Sequence, residues 1–561
     1  MTPRGARRTV RWIGAATIFI FFAAQVDGLA SAATGSQVPA APTRLVLRLP
    51  GHITGCDPVG SQISAESSQI LSLVLPSAFT TTPEGQVAQA DSFLVQAEVT
   101  NLSPLVVDYQ ILPNARWADG RSIGIDDFIT TWHLGVTGDG PASNQYRLIR
   151  SISSEPGSNH VVVTFTRATS DWRELFSPLM PRAFSKIAAA GCRSPSAAID
   201  VSGGPFKIIT ASPYRVRLDR NLSWWGTQPA FESVVVQSGP STAANVTTSL
   251  RRVGMVQSGW LDSATLAGLS SAPGVSSRAD LSSRLVSLDF SLRRAITRSV
   301  QVRSAIAHLI DRRSLVTSTV AAIDATVAPA GSHLLAQGQP GYSGPIAASP
   351  SATTSTSTTT ATSPTAQDIA QRLLATQGIH KRGGRWLLRS GKQLNLTIGA
   401  PIDDRWAVEL AAGIGAQLRT EGVASKIVIL NSSQEVAAAL RLGAIDSGVL
   451  VRQTSPFPTQ ATSWFTTLPG DHPSPLWTGV KDPELSRLAV QASEILNPVN
   501  AAPVYHQFDH RLWMTMPSLP ILTEPWVIGW STVIDGVSAN PFLPGTLADL
   551  LTWKIQVPVG S

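Results

Sequence analysis

Two histidines four residues apart form the most suggestive metal-binding pattern in this sequence. His506 and His510 lie in the run HQFDH. On a helix this spacing would place both imidazoles on one face, as in the HExxH motif of zinc enzymes. Gln507 replaces the glutamate of that motif, and no third ligand is evident. A helix surface that carries two histidines is therefore the preferred interpretation, and the sequence predicts neither a metal nor another cofactor.

Motifs for nucleotide-dependent catalysis are missing from the sequence. It contains no Walker loop and no dinucleotide-binding fingerprint. Scattered serine, histidine and aspartate residues do not identify a catalytic triad, because a triad is defined by its geometry. We therefore predict that the protein is not an enzyme. A secreted hydrolase with an unrecognised site is the weaker alternative.

The N-terminal segment has the pattern of an export signal. Four arginines precede an apolar run over residues 13–24, and Ala30-Ser31-Ala32 has the small residues of a signal-peptidase site. We predict a signal peptide over residues 1–32, with an uncleaved membrane anchor as the alternative. No internal run approaches the roughly 20 apolar residues of a membrane span. The protein is therefore expected to be exported, extracellular or associated with the cell envelope.

Two further observations concern the exported part of the chain. Removal of residues 1–32 would lower the formal charge from +7 to +4, and no dense block of Lys and Arg remains, so nucleic acid is not an expected partner. Cys56 and Cys192 are the two cysteines. In an oxidising compartment they form either one disulfide or two inert thiols, and the sequence leaves both interpretations open.

The elements that would position a binding site are clearest over residues 116–132, RWADGRSIGIDDFITTW. Asp119-Gly120 predicts a tight turn after a β-rich stretch. Beyond the turn, Ile125, Phe128, Ile129 and Trp132 have the spacing of one apolar helix face. The local prediction is a strand, a turn and an amphipathic helix.

Three motifs of this chain resemble family 5 of the extracellular solute-binding proteins, the peptide- and nickel-binding class of ABC-transporter receptors. The first motif comprises Trp117, Asp119, Gly120, Asp127 and Trp132. The second comprises Gly203, Gly204, Pro205, Phe206, Arg220, Asn221, Trp224 and Trp225. The third is the run VRSAIAHLIDRRSL at 302–315, in which an apolar helix face extends from Val302 to Ile310; the family has a helix here that ends in Asp-Arg. The LVLPSAF run at 73–79 and the ARWADG run are most similar to an actinobacterial, LpqW-like subgroup.

The resemblance implies an α/β, two-lobed periplasmic-binding-protein-like fold of type II, in the large cluster with an extra subdomain. It implies a discontinuous lobe I over residues 43–75, 196–285 and 519–561. A subdomain of lobe I would be inserted over 76–195. Lobe II would span 286–518 and include a low-complexity loop of Ser, Thr and Ala over 349–367.

The resemblance further implies that the protein captures an oligopeptide or similar small-molecule solute between two lobes and delivers it to an ABC permease in the membrane. The protein is expected to be a monomer. The alternative is a non-transport, LpqW-like regulator or scaffold of cell-envelope glycolipid biosynthesis. Many family members carry an acylated cysteine just after the apolar core of the signal, and this chain has no cysteine there.

The candidate cleft residues are Trp260, Ser291, Arg452, Gln453 and Trp464. The tryptophans are chosen because clefts of the family have aromatic walls, and Ser291 because it follows a predicted strand where the family often has Asn. Arg452 and Gln453 stand where peptide receptors of the family often carry an acid for the peptide amino group. Because an arginine binds carboxylate or phosphate, we expect an anionic, sugar-containing or envelope-derived ligand rather than an ordinary peptide.

Overall fold

A computed structural model describes residues 44–556, apart from 62, 91, 190, 199–200, 240–249, 251–253, 259–262, 321–322, 325, 343, 345–363, 478 and 543–544. The predicted signal peptide, Trp260 and most of the low-complexity loop lie outside the described residues. No helix in the described part is long and apolar enough to cross a membrane.

The strands have the following bounds: β1 Arg44–Leu49, β2 Phe79–Thr81, β3 Val87–Gln89, β4 Leu94–Leu102, β5 Leu105–Ile111, β6 Ile149–Ser153, β7 His160–Phe165, β8 Phe206–Ser212, β9 Arg215–Arg220, β10 Ser233–Ser238, β11 Gly254–Ser258, β12 Val275–Phe290, β13 His380–Arg382, β14 Arg385–Leu387, β15 Asn395–Pro401, β16 Ala424–Leu430, β17 Ser447–Gln453, β18 Ser518–Ser531, β19 Ile534–Asp535 and β20 Lys554–Ile555.

The α-helices have the following bounds: Ala65–Ser72, Ile125–Thr137, Ser143–Tyr146, Phe184–Ala189, Ser263–Ser271, Val300–Leu309, Arg312–Val320, Ala366–Thr376, Arg405–Thr420, Ser433–Leu442, Pro458–Thr462, Pro483–Ser493 and Pro498–Thr515. Short 3₁₀ turns span Trp172–Glu174, Pro195–Ala198 and Thr546–Thr552.

A mixed sheet, called the central sheet below, runs through the molecule in the order β16-β15-β17-β12-β18-β11-β1-β10-β9-β8. The edge strand pair β15–β16 is parallel, as is β1–β10, whereas β12 and β18 are antiparallel. Strand β1 shows why these segments form sheet: its leucines alternate with more exposed residues, and Leu45, Leu47 and Leu49 are fully buried.

Strands β12 and β18 belong to both ends of the central sheet. The first half of β12 pairs with the second half of β18, which also pairs with β11. The second half of β12 pairs with the first half of β18 and with β17. The β12–β18 register shifts between Leu281 and Leu285, a β-bulge where both strands pass from one end of the sheet to the other. We call this bulge the junction.

A smaller sheet has the order β4-β5-β7-β6 and packs against the Ile125–Thr137 helix. The first of the three sequence motifs holds this unit together. Trp117 Nε1 donates to Asp127 Oδ2 at 3.0 Å, and the same carboxylate accepts from the backbone N–H groups of Gly124 and Arg182, each at 3.1 Å. Gly120 has φ +87°, a left-handed conformation that glycine adopts without strain. The predicted strand–turn–helix is confirmed.

Separate hydrophobic clusters lie at the two ends of the central sheet. One joins β1, the smaller sheet and the end of the chain, and includes Trp117, Phe128 and Trp553. The other joins the second half of β12 to the Arg405–Thr420 helix, and includes Phe290 and Trp406. This separation agrees with an α/β protein that has two hydrophobic cores.

Two details concern the sequence predictions. The helix expected from Val302 to the Asp311-Arg312 pair ends at Leu309, and a second helix begins at Arg312. Asp311 caps the second helix: its Oδ1 accepts from Ser314 N at 3.0 Å. Cys56 and Cys192 are joined by a disulfide, with their Cα atoms 5.3 Å apart.

Candidate ligand cleft

A short turn after the smaller sheet presents charged side chains to a cavity. Over Trp172–Glu174 the chain makes one 3₁₀ turn that buries the Trp172 ring and leaves Arg173 and Glu174 at the cavity wall. Phe176 follows at φ +58°, an unfavourable conformation for an aromatic residue. Its backbone N–H donates to Tyr146 Oη at 2.9 Å, and its ring lies 4.6 Å from that of Phe128. These contacts fix the turn, and such strain is often found at functional sites.

The cavity, called the cleft cavity below, has a volume of about 360 Å³. Its wall contains residues from five parts of the chain: 58–92, 141–178, 204–224, 453–460 and Leu551. The residues up to 224 include the β2–β3 hairpin, the Ala65–Ser72 helix and turns beside β8 and β9, whereas Gln453 ends β17 at the other end of the central sheet and 454–460 follow it. Concave sites of this size, lined mainly by apolar groups with a few polar ones, are typical of small-molecule ligands.

Arg173 is the basic residue of the cleft cavity. Its side chain is half-buried, and its guanidinium carbon lies 4.2 Å from the centre of the Trp172 ring. Among the residues that the structure describes, no carboxylate lies within 4.0 Å of this guanidinium. Burial lowers the pKa of Arg173, and the nearby Tyr109 hydroxyl partly opposes this shift. The charge on Arg173 therefore lacks an internal counter-ion in the described part of the chain.

Glu174 is the acidic residue of the same wall. It is 8% exposed; its Oε1 accepts a hydrogen bond from Gln460 Nε2, and its Oε2 is buried without a protein partner. Burial, together with the nearby Asp171 carboxyl, raises the pKa of Glu174 to about 8. The side chain is therefore mostly a neutral carboxylic acid at pH 7.

Two of the candidate residues predicted from sequence lie inside the protein. Arg452 is 1% exposed and forms an ion pair with Asp289, with 2.7 Å between Arg452 Nη2 and Asp289 Oδ2. It also donates to Ser287 Oγ at 2.7 Å. Ser291 is fully buried, and its hydroxyl donates to the Leu440 carbonyl at 2.7 Å. Because Arg452 already has a carboxylate partner, the argument for an anionic ligand cannot rest on it.

The other candidates have different positions. Trp464 is 6% exposed and belongs to a hydrophobic cluster with Phe465. Gln453 lines the cleft cavity, and its amide donates to Ser283 Oγ at the junction. Trp260 lies outside the described residues. The structure thus brings Gln453, of these five, to the cavity.

Sequence reasoning missed Arg173 and Glu174. They lie in DWRE, an unremarkable charged run between a strand and Ser177-Pro178. The one signal in the sequence was two adjacent charged residues with a tryptophan before them and a proline after them. Many surface turns have this composition, so it does not identify a binding site. His506, by contrast, lies on the Pro498–Thr515 helix with its Nε2 2.9 Å from the Gly341 carbonyl oxygen.

A second charged cluster lies at the junction. Arg284, in the β12 bulge, forms an ion pair with Glu524 of β18, with 2.6 Å between Nε and Oε2, and also bonds Asp404. Burial raises the pKa of Glu524 to about 8, which Arg284 partly opposes. This cluster ties the junction to the start of the Arg405–Thr420 helix, which Asp404 caps.

Sequence comparison identifies the relatives of this chain. Residues 95–482 match the profile of the bacterial extracellular solute-binding proteins, family 5. The chain is 31% identical to a Mycobacterium tuberculosis protein, LpqW, over 74% of this chain and 69% of LpqW. That protein is described as a probable monoacyl phosphatidylinositol tetramannoside-binding protein. This chain is also 24% identical to the oligopeptide-binding protein OppA of Mycobacterium bovis, over 85% of this chain and 79% of OppA.

Solved structures share the fold. A periplasmic EDTA-binding protein, EppA, superposes with a TM-score of 0.79 at 18% identity, covering 92% of this chain and 97% of EppA. The oligopeptide-binding protein AppA of Bacillus subtilis, solved with a nonapeptide, gives 0.71 at 16% identity, covering 92% and 99%. At these identities the likeness concerns the fold, which is that of type II periplasmic binding proteins as the sequence predicts.

Members of this family are substrate-binding proteins rather than enzymes; they are extracellular or periplasmic, bind oligopeptides or small molecules, and work with ABC permeases. Three observations indicate the same family: the motifs around Trp117, Gly204 and Val302, the matched profile, and the shared fold. The chain belongs to family 5 of the bacterial extracellular solute-binding proteins.

Proposed function

We propose that this protein is an exported receptor of an ABC importer, which captures an oligopeptide or similar solute in the cleft cavity and delivers it to a membrane permease. The observation that carries this proposal is the composition of the cavity wall, to which residues 58–224 and residues 453–460 both contribute. A ligand in such a site would contact residues from both ends of the central sheet. Its binding would therefore stabilise the closed arrangement, in which both groups of residues line one cavity.

The domain boundaries expected from the family resemblance remain part of this proposal. Lobe I would comprise 43–75, 196–285 and 519–561, with the subdomain 76–195 inserted, and lobe II would comprise 286–518. The position of the junction supports these limits, because both β12 and β18 change neighbours there. We propose that the lobes move about the junction, as in hinged binding proteins. A monomer suffices for this mechanism.

Direct contacts between the subdomain and lobe II support a closed arrangement. Ser170 N donates to the Ser493 carbonyl at 2.6 Å. Asn144 Nδ2 donates to the His472 carbonyl at 3.0 Å, and His472 N donates back to Asn144 Oδ1 at 3.0 Å. These bonds would break when the cleft opens to admit a solute.

Native mass spectrometry of the protein purified from its own host tests the receptor function, with mild denaturation to release a bound molecule. A released solute, with rebinding that changes tryptophan fluorescence, is the expected result. An empty cavity that stays empty after soaking with peptide mixtures would contradict the proposal.

A second function is favoured by one comparison, because the identity to LpqW is higher than the identity to OppA. In that case the chain would be a non-transport regulator or scaffold of cell-envelope glycolipid biosynthesis. Affinity purification from the host envelope distinguishes the two functions. Recovery of a permease supports the importer, whereas recovery of a biosynthetic protein without any small ligand supports the scaffold.

A further inference from the structure

The wall of the cleft cavity contains one basic and one acidic side chain, and the two have different environments. Among the described residues that line it, Arg173 is the basic side chain and Glu174 is the acidic one. Glu174 is buried and accepts a hydrogen bond from Gln460, and among the described residues no carboxylate, that of Glu174 included, lies within 4.0 Å of the Arg173 guanidinium. The two adjacent side chains therefore do not neutralise one another, and the wall presents one uncompensated positive charge.

The rest of the wall is suited to an uncharged body. Its larger apolar side chains are Leu73, Leu75, Phe79, Tyr146, Trp224 and Phe457. Between them lie hydroxyl and amide groups, among them Thr81, Ser177 and Gln453, which can bond polar but uncharged parts of a ligand. A cavity of about 360 Å³ is at the small end of the range for ligand sites, so a compact solute fits it best.

We propose that the cleft cavity takes a compact solute that carries one anionic group, a carboxylate or a phosphate, on an otherwise uncharged body, and that Arg173 binds the anionic group. This inference rests on the proposed receptor function and specifies its ligand. A planar guanidinium offers two parallel donors to such a group, which gives strong, oriented bonds in a partly buried site. Stacking on Trp172 restricts the orientation of the guanidinium before the ligand arrives.

Glu174 lines the same wall but offers no ionised group to the solute. Its Oε1 is bonded to Gln460, and its Oε2 is buried without a protein partner. A free ammonium group gains no ionised partner there at neutral pH, because burial keeps this carboxyl protonated. A solute with an anionic group and no amine is therefore favoured over a zwitterion.

A series of peptides that differ only in charge tests the proposal. The probes are N-acetyl-trialanine, trialanine, trialanine amide and N-acetyl-trialanine amide, which are an anion, a zwitterion, a cation and a neutral molecule. Octyl phosphate and octanol form a second pair, because the same anionic group could belong to a lipid. Calorimetry on the full exported chain should show at least about tenfold tighter binding of an anion than of its neutral counterpart. Binding of N-acetyl-trialanine would indicate a peptide-like acid as the solute, and binding of octyl phosphate would indicate a lipid phosphate.

Variants identify the group responsible. Arg173→Gln should remove the preference for the anion, and Arg173→Lys should retain part of it. Arg150→Gln is the matched control, because Arg150 is an exposed arginine on β6 of the same subdomain and does not line the cavity. Unchanged thermal unfolding of the Arg173 variants would show that they fold.

The inference is overturned if anionic and neutral probes bind equally, or if Arg173→Gln keeps the preference. It also fails if native mass spectrometry releases a cationic solute, although the receptor function would then stand. If no probe of any charge binds and no solute is released from the native protein, both the inference and the receptor function fail.

Discussion

Asp171 Oδ2 accepts a hydrogen bond from the backbone N–H of Thr459 at 3.1 Å, across the contact between the proposed subdomain and lobe II. Asp171 is 2% exposed, and its other oxygen accepts from Ser170 Oγ at 2.8 Å. Burial raises its pKa to about 7, although both hydrogen bonds act to lower it. Glu174 and Tyr505 are its titratable neighbours, and no cation contributes to its shift. Closure of the cleft therefore buries an acid in an environment that favours its neutral form.

Ligand affinity should consequently depend on pH. In an open cleft Asp171 and Glu174 would titrate near their ordinary values of 3.8 and 4.5, whereas in the closed cleft their pKa values are about 7 and about 8. At a pH between the open-state and closed-state pKa values, closure takes up protons. Ligand affinity should therefore fall as pH rises from about 5 to about 8 and should level off above that range. Calorimetry in buffers of different ionisation enthalpy measures the proton uptake.

Asp171→Asn is the variant that isolates this effect, because its amide oxygen still accepts from Thr459. Its affinity should vary less with pH than that of the wild-type protein. A pH profile identical to the wild type would show that Asp171 does not titrate on closure.

The buried ion pair between Arg452 and Asp289 should matter for stability. Both side chains are almost fully buried, so Asp289→Asn leaves a desolvated guanidinium without its counter-ion. The free energy of unfolding should fall by about 3–5 kcal/mol, measured by urea denaturation. Asp280→Asn is the control, because its pair with Arg278 is partly exposed and should contribute at most about 1 kcal/mol. Equal losses in the two variants would contradict this account.

The motif carboxylate Asp127 should also be needed for stability. Asp127→Ala would leave the Trp117 indole N–H and two backbone N–H groups without their acceptor, with an expected cost of about 3 kcal/mol. Asp126→Ala, one residue earlier, removes a largely exposed carboxylate and should change stability by less than about 1 kcal/mol. Near-UV circular dichroism follows the loss of packed aromatic side chains during unfolding, and a stable Asp127→Ala protein would refute the role of this carboxylate.

Removal of the disulfide should destabilise the chain. Cys56 and Cys192 are 136 residues apart, so their bond restricts a long segment of the unfolded protein. The double variant Cys56→Ser, Cys192→Ser should lose about 2–5 kcal/mol. Reductant should lower the melting temperature of the wild-type protein but leave that of the double variant unchanged. If reductant left the melting temperature of the wild-type protein unchanged, the cysteines would not be bonded.

Local elements were largely predictable from the sequence. Short-range patterns determine them: the Asp119-Gly120 turn and the apolar spacing from Ile125 to Trp132 give the observed turn and helix. The helix from Val302 was expected to end at Asp311-Arg312, close to its observed end at Leu309. The second helix, which begins at Arg312 after the Asp311 cap, was not predicted.

The cleft was much less predictable than the fold. Arg452 looks available in the sequence, but its partner Asp289 is on β12, 163 residues away along the chain. Arg173 looks ordinary, and its lack of a counter-ion in the described part emerges only when Trp172, Glu174 and Gln460 are placed in space. Pairing between distant charges depends on the sheet register, which a single sequence does not reveal.

The proposed movement about the junction has a consequence for how far different residues would travel. Because two hydrogen-bonded strands cross the junction side by side, the chain would bend there rather than slide, and each atom would move in proportion to its distance from the bend. The bonds of Arg284 lie at this pivot and would change little in length, whereas the Asn144–His472 contact would separate widely. Fluorescent labels near Asn144 and His472 would therefore report opening with the largest signal, and labels beside Arg284 would serve as a stationary reference.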